Sequence, residues 1–492
     1  MRNTRIRMAL ILGLITLAAG CAVGPEYVRP KIDAPAAFKE AQNWKQAQPK
    51  DDQPHAAWWE IYADAQLNIL MSQIAISNQN VLLAEANYRR ARALIDASQA
   101  SYFPTVGLNA ASTRSHQGNS TATNNTGTAT GTNAGNTTRG ITRNNSLSAA
   151  ASWEPDIWGK VRRTVELNTS GAEASAADLA NAQLSAQAEL AQDYFQLRAQ
   201  DTQKKLLDDT VAAYEKSLQL TKNRYAAGVV AKADVVQADT QLKTTQAQAI
   251  DLEVQRAQFE HAIAVLIGKA PAEFSLSVAP LNTPVPVLPV AVPSALLERR
   301  PDIAAAERMV ASANAQIGIA TAAFFPNLTL NASGGYQSSS FSKWLSAPYQ
   351  FWSLGPQIAA TLFDGGARRA QVRQAEASYD ASVASYRQTV LSAFQAIEDD
   401  LVQLRVLQAE TEVQKSAVAA AEEALALTLN QYKAGTVSYL NVITAQASAL
   451  GNRRSLAQLD SRWLAASVLL VRDMGGGWDA QRMNDADKHP TQ

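Results

Sequence analysis

The sequence predicts an α+β protein made from two copies of one unit, each pairing short amphipathic strands with a very long helix. Three observations carry this: an internal repeat, two proline-free stretches with a seven-residue period, and four short runs with a period of two. The repeat shows where Asn223-Arg-Tyr-Ala-Ala-Gly228 returns as Asn430-Gln-Tyr-Lys-Ala-Gly435, 207 residues later. Self-similarity at a fixed offset marks a duplicated structural unit. Upstream, Trp158 to Arg163 matches Asp364 to Arg369 at an offset of 206, and Tyr102-Phe103-Pro104 matches Phe324-Phe325-Pro326 at 222. The jump of 16 assigns extra residues to the first copy, within 112–145, a stretch rich in Asn, Thr, Gly and Ser that reads as a polar loop.

The helices follow from what is missing. No proline occurs between Pro155 and Pro271, or between Pro356 and Pro490. Within the first stretch Leu190, Leu197, Lys204, Val211, Leu218 and Tyr225 recur every seven residues; 207 residues on stand Ile397, Leu404, Thr411, Val418, Leu425 and Tyr432. A sustained seven-residue repeat predicts coiled-coil packing. A helix over 160–227 would be about 100 Å long and needs other helices along its length. Nearly a fifth of the chain is alanine, which favours helix and lets helices approach closely.

The strands follow from alternation. Val106, Leu108 and Ala110 form the first apolar row, and Leu147, Ala149, Ala151 and Trp153 the second. Leu328, Leu330 and Ala332 give the third; Trp352, Leu354, Ile358, Ala360 and Leu362 give the fourth. Runs of about ten residues with one apolar and one polar face fit transmembrane β-strands, although a soluble amphipathic sheet has the same alternation. Beyond the N-terminal region there is no apolar run of 18 residues, so no transmembrane helix is expected.

The N-terminus reads as a signal. Arg2, Arg5 and Arg7 precede an apolar stretch from Met8 to Gly20, which ends in Leu17-Ala-Ala-Gly-Cys21. The stretch is too short to span a bilayer and ends in small residues, as secretory signals do. The last five residues resemble a bacterial lipobox. That resemblance implies removal of residues 1–20 and attachment of diacylglycerol and an N-acyl chain to Cys21. Ala22 at the next position, rather than Asp, implies sorting to the outer membrane.

The expected organisation is a lipoprotein signal over 1–20 and an extended, lipidated segment over 21–59. The first repeat then covers 60–270, a Pro-rich linker 271–293, the second repeat 294–475 and a polar tail 476–492. The composition narrows the function. Lys plus Arg and Asp plus Glu are both 44, which argues against nucleic acid as a partner. Cys21 is the only cysteine and the four histidines are far apart in sequence, so neither a disulfide nor a metal site is expected. No nucleophile elbow or phosphate-binding Gly loop appears, and no enzyme activity is expected. Glu398-Asp399-Asp400 reads as a solvated helix face.

Four strands cannot close a barrel, since the smallest membrane barrels need about eight. An open edge in lipid leaves backbone groups unpaired, so several chains must close one barrel together. Two chains would supply eight strands and three would supply twelve.

At this point the sequence resembles the TolC-like outer-membrane factor family, in its lipoprotein (OprM/NodT-like) branch serving tripartite efflux systems. The residues that carry the resemblance are Cys21-Ala-Val-Gly-Pro25-Glu-Tyr27-Val-Arg-Pro30, Trp58-Trp59, the two Phe-Pro strand starts, the two Tyr-x-x-Gly turns and Leu297-Glu-Arg-Arg-Pro301-Asp302-Ile303. They span 21–475. The resemblance implies a homotrimer with a twelve-stranded outer-membrane barrel continuous with a periplasmic α-helical coiled-coil tunnel. It also implies docking to a periplasmic adaptor and an inner-membrane RND-type transporter, with no cofactor apart from the lipid. The turns at Tyr225, Gly228, Tyr432 and Gly435 would lie at the periplasmic tip, where the adaptor docks. Asp234, Leu440, Asn441 and Thr444 would line the tip constriction. Asn441 and Thr444 stand where carboxylates are common, so the closure is expected to be largely apolar and neutral, with Asp234 the nearest charge. Asp234 equally suits a helix N-terminus as a dipole-stabilising acid. Rival readings are a type I protein-secretion conduit and a non-conducting coiled-coil lipoprotein.

Replacing Cys21 with Ser is expected to abolish lipidation. Intact-mass analysis checks this: a mature Cys21→Ser protein that still carried acyl chains would sink the lipobox reading.

Overall fold

The computed structural model describes residues 23–41, 57–116, 141–286, 288, 299–343 and 345–478. Cys21, the signal segment, the centre of the 112–145 insertion, the end of the Pro-rich linker and most of the C-terminal tail lie outside these residues. The helices are α1 (Ala65–Ser77), α2 (Gln79–Gln99), α3 (Lys160–Ala226), α4 (Lys232–Leu266), α5 (Pro301–Ala322), α6 (Ala367–Ala434) and α7 (Tyr439–Asp473). The strands are β1 (Thr105–His116), β2 (Ile141–Trp153), β3 (Asn327–Ser338) and β4 (Gln350–Ala359). Among the described residues no helix is long and apolar enough to cross a membrane. The chain divides into two compact units, and each takes segments from both sequence repeats.

One unit holds residues 1–28, 92–170 and 311–380 and contains the sheet. The strands pair antiparallel in the order β1-β2-β3-β4, so among the described residues β1 and β4 each have one neighbour. The register aligns the predicted apolar rows. Leu108 faces Ala149, Ala149 faces Gly334 and Gly334 faces Trp352, while Val106, Ala151, Ala332 and Leu354 form the adjacent row. Val106, Leu108, Trp352, Leu354 and Ile358 are all exposed, so nothing among the described residues covers this face. The opposite face is polar, with Ser152 Oγ donating to Asn331 Oδ1 at 2.9 Å. Strands extend into both ends of the predicted polar loop, where Ser112 donates to Asn145 (2.7 Å) and Ser115 meets Thr142 (2.7 Å). These cross-strand polar pairs carry the ladder past the apolar band. β4 stops at Ala359, leaving Leu362 beyond the strand and exposed.

Each long helix starts at an aspartate that accepts backbone amides, through a different set in each copy. Asp156 accepts the Val161 and Arg162 amides at 2.9 Å, and Asp364 accepts the Gly366 and Arg368 amides at 3.0 and 3.2 Å. Hydrogen bonds from the Arg368 side chain and from these amides hold the Asp364 carboxyl down at about 2. Gly159 and Gly366 both have positive φ, and the helices run from 160 and 367. Gly365 has positive φ as well, at the offset of 206 read from the motif, while the helix starts are 207 apart.

The other unit holds 29–91, 171–310 and 381–492. Its core collects Trp58, Tyr62, Leu67, Ile74, Leu190, Phe195, Leu197, Ile397, Leu404 and Val468. The seven-residue stripe is thus buried at Leu190, Leu197, Ile397 and Leu404, as its spacing requires. It breaks at Lys204, whose ammonium pairs with Asp208 at 2.7 Å. The start of the linker is fixed by charge: Asp201 accepts from Arg256 (2.7 Å) and Arg198 (3.1 Å), and these arginines donate to the Leu276 and Ser277 carbonyls.

Only the middle of the acidic run 398–400 is solvated: Asp399 is exposed, whereas Glu398 and Asp400 are not. Glu398 accepts the Lys39 and Glu40 amides at 2.7 and 2.9 Å, tying down the N-terminal segment, and Phe38 packs edge-on to Phe394. Asp400 is buried and its Oδ2 has no hydrogen-bond partner among the described residues. Burial pushes its carboxyl up to about 8, and the neighbouring Asp473, which shares a hydrogen bond with it, adds to the rise. Asp473 itself pairs with Arg300 (3.4 Å) and Arg472 (3.0 Å).

A folded-state value raised this far means that the fold keeps a proton the unfolded chain releases near pH 4. The stabilisation is complete below that pH and is lost as pH rises through about 8. Thermal melts between pH 5 and 9 are therefore expected to show falling stability in the natural protein and a flatter profile in Asp400→Asn. Parallel profiles would contradict the assignment.

Candidate functional site: the two helix turns

The Tyr-x-x-Gly motifs close α3 and α6 in the same way. The Gly228 amide donates to the Tyr225 carbonyl (2.9 Å) and the Val229 amide to the Arg224 carbonyl (2.9 Å). In the second turn Gly435 donates to Tyr432 (3.0 Å) and Thr436 to Gln431 (3.0 Å). Gly228 and Gly435 have φ of 72° and 79°. This left-handed C-terminal cap satisfies the last carbonyls of a helix and selects glycine, because a Cβ resists that backbone.

The two turns differ in what they touch. Tyr432 is buried, 2% exposed, whereas Tyr225 is 46% exposed. Arg224 explains the difference. Its Nη1 donates to the Tyr432 and Lys433 carbonyls at 3.0 and 2.9 Å, at the C-terminal end of α6, and its guanidinium lies 4.8 Å from the Tyr432 ring centre. A cation suits a helix C-terminus and an aromatic face alike. The Tyr432 ring meets Tyr439 edge-on at 5.3 Å. The Tyr439 hydroxyl bonds Ser217 at 3.1 Å and the Tyr432 hydroxyl bonds Thr221 at 3.4 Å. Tyr214, Leu218, Leu242 and Val442 complete the apolar cluster around them. Burial raises the Tyr439 phenol, and the charges of Tyr432 and Asp234 add to that. At the equivalent places in the other repeat, Gln431 replaces Arg224 and Lys232 replaces Tyr439. Tyr225 therefore has neither a cation nor a ring to pack against.

Asp234 lies in the first turn of α4, partly buried, where it complements the helix dipole. Leu440, Asn441 and Thr444 lie in the first two turns of α7 and are exposed, Leu440 at 57%. Leu440 and Thr444 share a face, and the Thr444 hydroxyl donates to the Leu440 carbonyl at 3.0 Å. Sequence reasoning missed Arg224, Tyr439, Ser217 and Thr221. The available signal was the mismatch between repeats, Arg224 against Gln431 and Tyr439 against Lys232. Among the described residues no cluster of His, Cys, Asp or Glu is arranged to hold a metal ion.

A duplicated chain with a four-stranded sheet, two open strand edges, an uncovered apolar face and long capped helices has the build of one subunit's share of a membrane channel. The chain belongs to the outer membrane efflux protein family, whose sequence model matches residues 70–269 and 292–476. It is 29% identical to the outer membrane protein OprJ of Pseudomonas aeruginosa, over 98% of each chain. It is 27% identical to the cation efflux system protein CusC of Escherichia coli, over 93% of this chain and 96% of that protein. Among solved structures, the outer-membrane channel OprN superposes with a TM-score of 0.84 at 31% identity, covering 93% of this chain and all of OprN.

Removing the Arg224 guanidinium is expected to loosen the second turn. Losing charged hydrogen bonds costs about 1–3 kcal/mol, roughly a tenfold change in local opening. Hydrogen exchange at the amides of 431–437 should accelerate to that extent in Arg224→Ala. Unchanged protection would rule out the clamp.

Proposed function

We propose that this protein is the outer-membrane channel of a tripartite efflux system and passes small molecules from the periplasmic side to the exterior without chemistry of its own. The observation that carries this reading is the sheet, which among the described residues has both edges unpaired and its apolar face exposed, in a chain of the outer membrane efflux protein family. In lipid every backbone donor and acceptor needs a partner, so the edges of β1 and β4 require strands from other chains. Three copies give a twelve-stranded barrel and, from their long helices, a twelve-helix tunnel. The exposed apolar rows then face lipid.

The partners in this reading are a periplasmic adaptor and an inner-membrane RND-type transporter that supplies the energy. Efflux relatives such as CusC, named for a cation efflux system, support such an assembly. Acyl chains on Cys21 anchor the mature N-terminus to the outer membrane. The turns at Tyr225 to Gly228 and Tyr432 to Gly435 face the adaptor. Leu440, exposed at the start of α7 beside Asn441 and Thr444, contributes a neutral apolar ring to the closed end, with Asp234 the nearest carboxylate.

Deleting the gene is expected to raise accumulation of efflux dyes and antibiotics, and a plasmid copy should reverse it. Complementation with Leu440→Ala should restore efflux but increase sensitivity to vancomycin, which is too large to cross an intact outer membrane. Accumulation that does not change on deletion would overturn the efflux reading. Unaltered vancomycin sensitivity would overturn only the role of Leu440.

A further inference from the structure

Away from the turns, a polar cavity of about 340 Å³ opens between α3, α4 and α7. Six of its lining residues are glutamines, with Gln196, Gln200 and Gln203 on α3. Three polar atoms of lining residues are buried and have no hydrogen-bond partner among the described residues: Gln200 Oε1, Arg454 Nε and Ser461 Oγ. Gln200 and Ser461 are only 7% and 2% exposed. Leaving such a group unsatisfied costs about 1–3 kcal/mol, so three in one cavity call for a polar occupant, water or a ligand that displaces it.

The duplication provides an internal control. α4 and α7 are related by the 207-residue offset, as are the starts of α3 and α6. At that offset Leu407 replaces Gln200, Ala247 replaces Arg454 and Val254 replaces Ser461. Leu407 is buried in the apolar core. Leu407 shows that the register accepts a buried apolar side chain at the first place, while Ala247 and Val254 are exposed, so the other repeat has no polar cavity residue at any of the three.

The unsatisfied atoms also define the ligand. Gln200 Oε1 accepts, Arg454 Nε donates and Ser461 Oγ does either. An inorganic anion would suit Arg454 and Ser461 but not the Gln200 oxygen; a metal cation would suit Gln200 and Ser461 but not Arg454. A hydroxyl donates and accepts in one group, and the carboxamides around it do the same. Exposed Asp251 and Arg462 give the rim both signs, and Arg454 leaves the lining one positive charge in excess, so a neutral or weakly acidic ligand fits. The volume falls within the roughly 300–1,000 Å³ of small-molecule sites.

We propose that this cavity binds a polyhydroxylated ligand of saccharide size, held by Gln200, Arg454 and Ser461. A free sugar and a residue of a glycan chain present the same chemistry.

Saturation-transfer NMR on the full-length oligomer, in a detergent without a sugar headgroup, tests this. The probes are methyl α-glucoside for a free sugar and an N-acetylglucosamine disaccharide for a glycan. Transfer to at least one is expected from the natural protein, and which of them responds separates the two sources. The triple variant Gln200→Leu, Arg454→Ala and Ser461→Val carries the other repeat's residues. It should bind roughly tenfold more weakly, as expected for several lost hydrogen bonds. Should it not assemble, Ser461→Val alone replaces it, with a smaller reduction expected. No transfer to either saccharide from the natural protein would overturn the proposal. So would undiminished transfer from the variant, or displacement of the bound saccharide by inorganic phosphate, which would make the site an anion site.

Discussion

An antiparallel sheet carries a row of unpaired backbone donors and acceptors along every edge that lacks a neighbour. Among the described residues both edges are open, because β1 and β4 each pair on one side. Water would satisfy those groups, but the sheet also carries apolar rows, Val106 with Leu354 and Leu108 with Trp352, that the chain leaves uncovered. A surface that avoids water and an edge that requires partners are reconciled in lipid only when strands close on strands. Membership of the outer membrane efflux protein family accords with that demand.

Duplication explains how the chain is built and where it specialises. Capping is kept in both copies: Asp156 and Asp364 open the long helices through different amides, and Gly228 and Gly435 end them with the same backbone bonds. These are local interactions, so a copied sequence reproduces them. The side-chain contacts between helices are not copied. Arg224 holds the end of α6, but Gln431 has no equivalent cation to offer α3. Gln200, Arg454 and Ser461 line a polar cavity where the other repeat has Leu407, Ala247 and Val254. Two copies fused in one chain are free to diverge wherever they meet each other.

The acidic run on α6 illustrates why exposure is hard to read along one helix. Glu398, Asp399 and Asp400 look alike in sequence, yet Glu398 receives two backbone amides of the N-terminal segment and Asp400 is buried beside Asp473. Nothing local distinguishes them. The groups that decide their state come from residues 39–40 and from the end of α7.

The sequence by itself determined the features set by short-range chemistry. These are the offset of the repeat, the proline-free helices, the alternation that makes Leu147, Ala149, Ala151 and Trp153 one face of a strand, and the glycines at the two turns. Periodicity and capping depend on neighbours within a few residues, so one strand of text suffices to read them. Only the tertiary structure decided which tyrosine of the repeated motif is buried, that Arg224 clamps the other turn, and that three unmatched polar residues share a cavity. Those outcomes depend on which helices lie side by side, and residues more than two hundred positions apart meet only after the chain has folded.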